Sequence, residues 1–361
     1  MITGTAETVI YLVSCAVNGT KPDAERLAGA DFGALLSFAS YHMLGAIVAM
    51  GLEDAGFTGR DIRKHIAFSV RKSVCFEAAN REVLAGLEEA GIWYMPLKGA
   101  VLKDYYPRFG MREMSDYDIL IDTTRAHDVR RMMQSLGFRT EEFGRGSHDV
   151  YYREPLCNFE MHRELFEASF DEHLHSCYSS VKSRLIKDDG NNYGYHFTPE
   201  DFYLYITAHE YKHYSSGGTG LRSLLDAYVL LRRFEGQLDF GYVLSEAEKL
   251  GLSEFEAKNR GLALNLFGNR ELTDGEQEML EYIVQSGVHG NVEISVRNGL
   301  KKCGGGKIKY LLSRIFPSMN STKHKIYYPA LIILRLLRAL TVKRRKVLLE
   351  LRHLFSVFRP V

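Results

Sequence analysis

Long apolar runs are missing from this chain. The stretch YYPALIILRLLRALTV comes nearest, but Arg335 and Arg338 interrupt it, and a membrane helix needs roughly 18 apolar residues in a row. Paired cysteines are missing too. Cys15, Cys75, Cys157, Cys177 and Cys303 are scattered, odd in number and without a C-x-x-C pair. That usage fits a reducing, cytoplasmic compartment better than a disulfide framework. The opening MITGTAETVIYLVSC has no basic segment ahead of its apolar residues, and Glu7 precedes them. A packed helix is expected there, not a signal peptide. No internal repeat or low-complexity tract appears. GGGK at 304–307 is not a phosphate loop, because the second glycine spacing and the Ser/Thr are absent.

Acid is nearly absent from one region. Residues 301–361 hold 15 Lys and Arg against Glu350 alone, while the first 300 carry 31 basic and 44 acidic residues. The overall +1 therefore hides a basic end and an acidic body. Arg338, Arg345, Arg352 and Arg359 recur every seven residues, near one face of a helix. Such a face is solvated, docks on the acidic body, or meets an anionic partner such as nucleic acid or a lipid surface.

What is present is ordinary for a folded protein. At 361 residues, 45% hydrophobic and 25% charged, the chain can bury a sizeable core and two or three domains. Residues 1–80 show apolar spacing of three to four and are expected to be helical. RKSVCFEAANREVLAGLEEAG (71–91) is a helix stopped by Gly91. The character then changes. IWYMPL (92–97) and DYDILID (116–122) are expected strands, with AVLKDYYP (100–107) a short helix ended by Pro107. TRAHDVRRMMQSLGF is a helix before Gly137, and HDVYYRE (148–154) and NFEMHREL (158–165) are strands about a turn at Pro155. TPEDFYLYITAHEYKHY begins a helix with Thr198 as cap and Pro199 in first position, and LRSLLDAYVLLRRF (221–234) follows the loop SSGGTG. The expected class is α+β: a small mixed sheet flanked by helical regions. The expected division is 1–80 helical, 81–170 core, 171–300 a helical domain closing a cleft, and 301–361 a basic helical segment.

The chemistry concentrates in LKGAVLKDYYPRFGMREMSDYDILID. Asp116 and Asp118 lie two apart in a strand, so both carboxylates fall on one face with Tyr117 on the other. Carboxylates that close repel unless a cation lies between them. Hard oxygen ligands suit Mg²⁺, which also takes substrate phosphates. Glu160, sharing a strand face with His162, is the candidate third carboxylate. On its own D-x-D serves equally well in turn caps and salt bridges.

The order of these motifs resembles the uncharacterised nucleotidyltransferase family of the DNA polymerase beta-type nucleotidyltransferase superfamily. The similarity runs through LKGA, the YP after a short helix, Arg112, SDYDILID, NFEMHREL, His209 and His213 on one helix, and Arg222 and Asp226 on the next. It is strongest over roughly 90–235. The resemblance implies a nucleotidyl-transfer fold with Asp116, Asp118 and Glu160 as ligands of Mg²⁺ (or Mn²⁺). The substrate it implies is a nucleoside triphosphate such as ATP, acting on an unknown acceptor. It also implies that the Lys98-Gly99 turn approaches the triphosphate, with Lys98 neutralising charge. Arg112 is then either a phosphate clamp or an ion pair supporting the DYD loop. The wider superfamily carries G-[GS] at that turn, and this chain has K-G-A, without a serine hydroxyl. That departure motivates an alternative, a catalytically inactive nucleotide-binding or scaffold protein.

HEYKH (209–213) also matches H-E-x-x-H, the zinc-peptidase pattern. The extended form fails, since Ser216 and Thr219 stand where Gly and His belong. His209 and His213, one turn apart, are instead candidates to line the binding cleft or to brace Asp226 and Arg222 behind it. His173, His175 and Cys177 alternate in HLHSC, but on a helix those positions diverge.

Overall fold

The computed structural model describes residues 3–315, 349–350 and 352–354. Of the basic stripe, only Arg352 falls within them; Arg338, Arg345 and Arg359 lie outside the described residues, as do Arg335 and the rest of that apolar stretch. Among the described residues no helix is long and apolar enough to cross a membrane.

Helices α1 (Gly4–Asn18), α2 (Phe32–Tyr41) and α3 (Gly45–Asp54) lead into α4 (Arg60–Glu89). Val9, Leu12 and Val13 of α1 are fully buried, so its apolar run is core. The long α4 buries Phe76, Ala79, Val83 and Leu87, a stripe at helical spacing. It ends where Gly91 adopts φ 63, a left-handed value that costs glycine little.

The sheet follows: β1 (Tyr94–Pro96), the single-turn α5 (Gly99–Leu102), β2 (Tyr117–Ile121), α6 (Ala126–Ser135), β3 (Arg139–Glu142), β4 (His148–Arg153) and β5 (Cys157–His162). Spatial order is β1-β2-β5-β4-β3. Only β2 and β5 run parallel; the other neighbours are antiparallel. The sheet is therefore mixed, and the chain is α+β, with strands gathered between two helical stretches. β3, from the polar segment RTEE, was not expected. Its side chains are mostly exposed, and backbone pairing to β4 makes it a strand at the sheet edge.

Period-two alternation divides the sheet faces. Tyr117, Ile119, Ile121, Tyr151, Phe159 and Met161 form one core with α4 and α6. Leu120 packs on the other face, in a core with α8 (Pro199–Tyr214). Between β5 and α8 come α7 (Glu172–Tyr178) and the small pair β6 (Ile186–Lys187) and β7 (Tyr195–His196). HLHSC lies on α7, where His175 Nδ1 turns to the Phe166 carbonyl at 2.8 Å, away from a shared metal position. After α8 follow α9 (Leu221–Arg233), α10 (Phe240–Lys249), α11 (Ser253–Phe267), α12 (Asp274–Ser286), α13 (Val292–Lys302) and α14 (Lys307–Ile315). α9, α11 and α12 share a third core with α1, α2 and α3.

Candidate active site

Strand pairing assembles one polar wall. In β2, Asp118 points away from the α4 core while Tyr117 and Ile119 point into it. Asp118 and Glu160 are direct partners across the parallel β2–β5 pair. His162 lies two residues further along β5, and His148 is its partner across the β4–β5 hairpin. Asp118, Glu160, His162 and His148 thus share the face opposite α4. Asp116 sits just before β2, where the Ser115 hydroxyl donates to its carboxylate at 2.9 Å.

Charge on this wall is uneven. Asp118 Oδ1 accepts from Lys98 Nζ at 2.7 Å and from His162 Nε2 at 2.8 Å. Burial disfavours the Asp118 charge, but Lys98 and His162 outweigh it and hold the carboxyl well below its usual range. Asp116 moves the other way. Burial raises it first, and the neighbouring Asp118 and Glu160 charges raise it further. Among the described residues, one group offers three ligand atoms close enough to share an ion: His148, Glu160 and His162, all within 4.8 Å.

The turn before α5 sets the mouth of the site. Lys98 holds φ 44 and ψ −119, a sparsely populated conformation costing about 1–3 kcal/mol for a residue with a side chain. It directs Nζ to Asp118. Gly99 is needed for a different reason: a Cβ there would lie 2.4 Å from Arg112 Nη1 and 2.9 Å from Met114 Sδ. Arg112 is buried and forks onto Asp226 of α9, Nε to Oδ1 at 2.7 Å and Nη2 to Oδ2 at 2.8 Å. The Tyr106 hydroxyl donates to the same carboxylate at 2.7 Å. Of the two roles open to Arg112, the geometry shows the ion pair, and its partner lies on α9. Two residues of α4 fix the same loop: Ser69 donates to the Gly110 carbonyl at 2.7 Å and Lys72 to the Ser115 carbonyl at 3.3 Å.

Facing the strands across a cavity of about 360 Å³ are α8 and the start of α9. Lys98, Gly99, Arg112, Asp116, Asp118, Glu160, His209 and His213 all line this one cavity, as do Lys212 and Arg222. The His209 and His213 rings stand edge to face, centroids 4.7 Å apart. Burial pushes His209 well below its ordinary range, so its imidazole is neutral. Lys98 adds to that effect. Glu210 turns from the histidines toward α11, where its Oε2 accepts from Asn259 Nδ2 at 2.8 Å. Among the described residues no third ligand group forms around His209 and His213, so HEYKH lacks the arrangement a zinc peptidase requires.

His148 and Lys212 were not singled out from the sequence. A signal for His148 was there: a hairpin turning about Pro155 places residue 148 opposite residue 162. Asp226, one turn beyond Arg222 on α9, holds neither that arginine nor a histidine, since its carboxylate is taken by Arg112 and Tyr106.

No curated protein and no solved structure gives a significant match to the chain. The family model described as "Uncharacterised nucleotidyltransferase" matches residues 28–268, spanning α2 to the end of α11 and including the whole polar wall. With that match over well more than half its length, the chain belongs to the uncharacterised nucleotidyltransferase family.

Proposed function

We propose that this protein moves a nucleoside monophosphate from a nucleoside triphosphate to an acceptor, releasing pyrophosphate, with Mg²⁺ (or Mn²⁺) held by Asp116, Asp118 and Glu160. The observation that carries this reading is the polar wall itself. Asp118 and Glu160 on adjacent strands and Asp116 just before β2 line one cavity together with Lys98, Lys212 and Arg222.

The residues fit a divalent cation. Asp116 is raised by burial and by two neighbouring carboxylates, the behaviour of an acidic cluster short of positive charge. Lys98 pairs directly with Asp118, and its charge offsets only part of the rise at Asp116. A bound ion would add Lewis-acid stabilisation of phosphate charge and make the acceptor hydroxyl easier to deprotonate. The chain's own groups do the rest. Lys98 and Arg222 are placed to bind triphosphate oxygens. The Arg112–Asp226 pair ties the loop before β2 to α9, fixing one wall against the other. His209, neutral and half-buried, helps exclude water from the cavity.

Full-length protein is incubated with each α-labelled nucleoside triphosphate and Mg²⁺, and pyrophosphate and label transfer onto RNA, protein and small-molecule fractions are followed. Wild type should release pyrophosphate. Asp118→Asn should be slower by about 1,000-fold or more, since several kcal/mol of charge stabilisation is lost. Equal behaviour of the two with every nucleotide would sink the reading. Lys98 seated on Asp118 favours the second reading, an inactive nucleotide-binding protein; calorimetric binding of nucleotide without turnover would support it.

A further inference from the structure

We propose that His148, Glu160 and His162 form a binding site for a borderline first-row divalent cation, with Zn²⁺ the probe of choice. It is chemically distinct from the oxygen-only Asp116/Asp118 position. The proposal does not depend on nucleotide transfer, because it concerns what these three side chains bind.

The three side chains bring one ligand atom each within 4.8 Å of one another. Glu160 Oε2 is 3.6 Å from His162 Nε2 and 3.6 Å from His148 Nε2. Ligands about 2.0–2.1 Å from a tetrahedral Zn²⁺ stand about 3.4 Å from one another. Both spacings are therefore within a few tenths of an ångström of the edges of one coordination sphere. Asp118 Oδ1, held by Lys98 at 2.7 Å, borders the site 2.8 Å from His162 Nε2.

The surroundings orient the ligands. β4 and β5 hold the two imidazoles as direct cross-strand partners, ring centroids 5.0 Å apart. The Ser147 hydroxyl lies 3.3 Å from His148 Nδ1. Accepting that N–H would leave the Nε2 lone pair facing Glu160, the outer-sphere arrangement metal-binding histidines use. His162 is buried. Its Nε2 faces the Asp118 carboxylate, which accepts from it at 2.8 Å; a metal at Nε2 takes the other neutral tautomer, with the proton on Nδ1.

Donor type sets the class of ion. Two imidazoles and one carboxylate suit Zn²⁺ and its first-row neighbours, whereas Mg²⁺ prefers oxygen throughout. Glu160 is shared: it completes the carboxylate set proposed above and supplies the anionic ligand here.

Tag-free, full-length protein stripped with EDTA is titrated with ZnCl₂ against a competing chromophoric chelator, and separately loaded with one equivalent of Co²⁺ in the presence of millimolar Mg²⁺. Wild type should take one tight equivalent of Zn²⁺ that millimolar Mg²⁺ does not displace. The substituted ion should show nitrogen coupling in pulsed electron paramagnetic resonance. His148→Ala and Glu160→Gln should weaken Zn²⁺ binding by about 100-fold or more, given that even outer-sphere partners are worth 10–100-fold. Asp116→Asn should change it by less than about threefold. Wild type binding no Zn²⁺, a tight site that survives His148→Ala, or a bound ion without nitrogen coupling would each overturn the proposal. The nitrogen measurement uses wild type alone, so it holds if a variant fails to fold. Loss of pyrophosphate release with Zn²⁺ binding intact would count against the transfer reading only.

Discussion

At the scale of single residues, the two arginines near the cavity do different work. Arg112 and Asp226 are both buried and joined by two hydrogen bonds. Removing one member of such a pair strands the other without compensation and costs about 3–5 kcal/mol. Asp226→Asn should therefore lower the unfolding free energy measured in urea by an amount in that range. The double substitution Arg112→Met, Asp226→Leu should cost less than the single one, because no buried charge is left unpaired. A double variant as unstable as the sum of the singles would refute a mutual pairing. Gly99 belongs to the same unit, since any side chain there meets the Arg112 guanidinium. The sequence offered both partners as candidates but not their pairing. Arg112 and Asp226 are 114 residues apart, and no local periodicity connects them.

At the scale of elements, α8 shows what the sequence could and could not convey. Thr198 and Pro199 announced its start, and Thr198 does accept from the Asp201 amide. Its surroundings were harder to read, because Phe202 to Ala208 are buried all round. A helix wedged between a sheet and other helices has no polar stripe to reveal its orientation. That placement traps Glu210 against Asn259 of α11 and makes a titration measurable. Burial pushes Glu210 up to about 8, from an ordinary value near 4.5. The folded chain keeps this proton until about pH 8, while the unfolded chain gives it up near 4.5. Between these values the unfolded state binds fewer protons, so stability falls as pH rises, and above about pH 8 the loss is complete. Glu210→Gln keeps an acceptor for Asn259 and removes the titration. In urea unfolding the variant and wild type should match near pH 5. By pH 8.5 the variant should be more stable by a few kcal/mol, on the order of 1.4 kcal/mol per pH unit crossed. Parallel pH profiles for the two proteins would show that Glu210 does not titrate this way. The strands were legible for the converse reason: NFEMH alternates polar and apolar, and DYDILID is a short apolar run bounded by acids. β3 was not legible, because its four residues owe their state to pairing with β4 rather than to their own pattern.

At the scale of the whole molecule, the cavity lies where the sheet, α8, α9 and the turn between α2 and α3 converge, and Arg222 marks that junction. Its Nη1 reaches Met43 Sδ at 3.1 Å and the Glu113 carbonyl at 3.4 Å, and its Nε is buried with no partner among the described residues. Burial works against its charge, and Arg112 adds repulsion. A cation held this way costs the free protein stability; under the proposed transfer, an arriving polyphosphate would return it through charge-assisted hydrogen bonds worth about 1.5–3 kcal/mol. Ligand linkage separates this role from a structural one. Wild type at a hundred times Kd of Mg²⁺-nucleoside triphosphate gains about 2.7 kcal/mol of stability. Arg222→Met should leave the free protein as stable as wild type or more so, while raising the nucleotide Kd by about 10–100-fold and shrinking the thermal shift accordingly. Inorganic triphosphate should show the same difference if the contact is to phosphate rather than base. If Arg222→Met instead loses 3 kcal/mol or more without ligand and binds triphosphate with an unchanged Kd, Arg222 serves the junction and not the substrate.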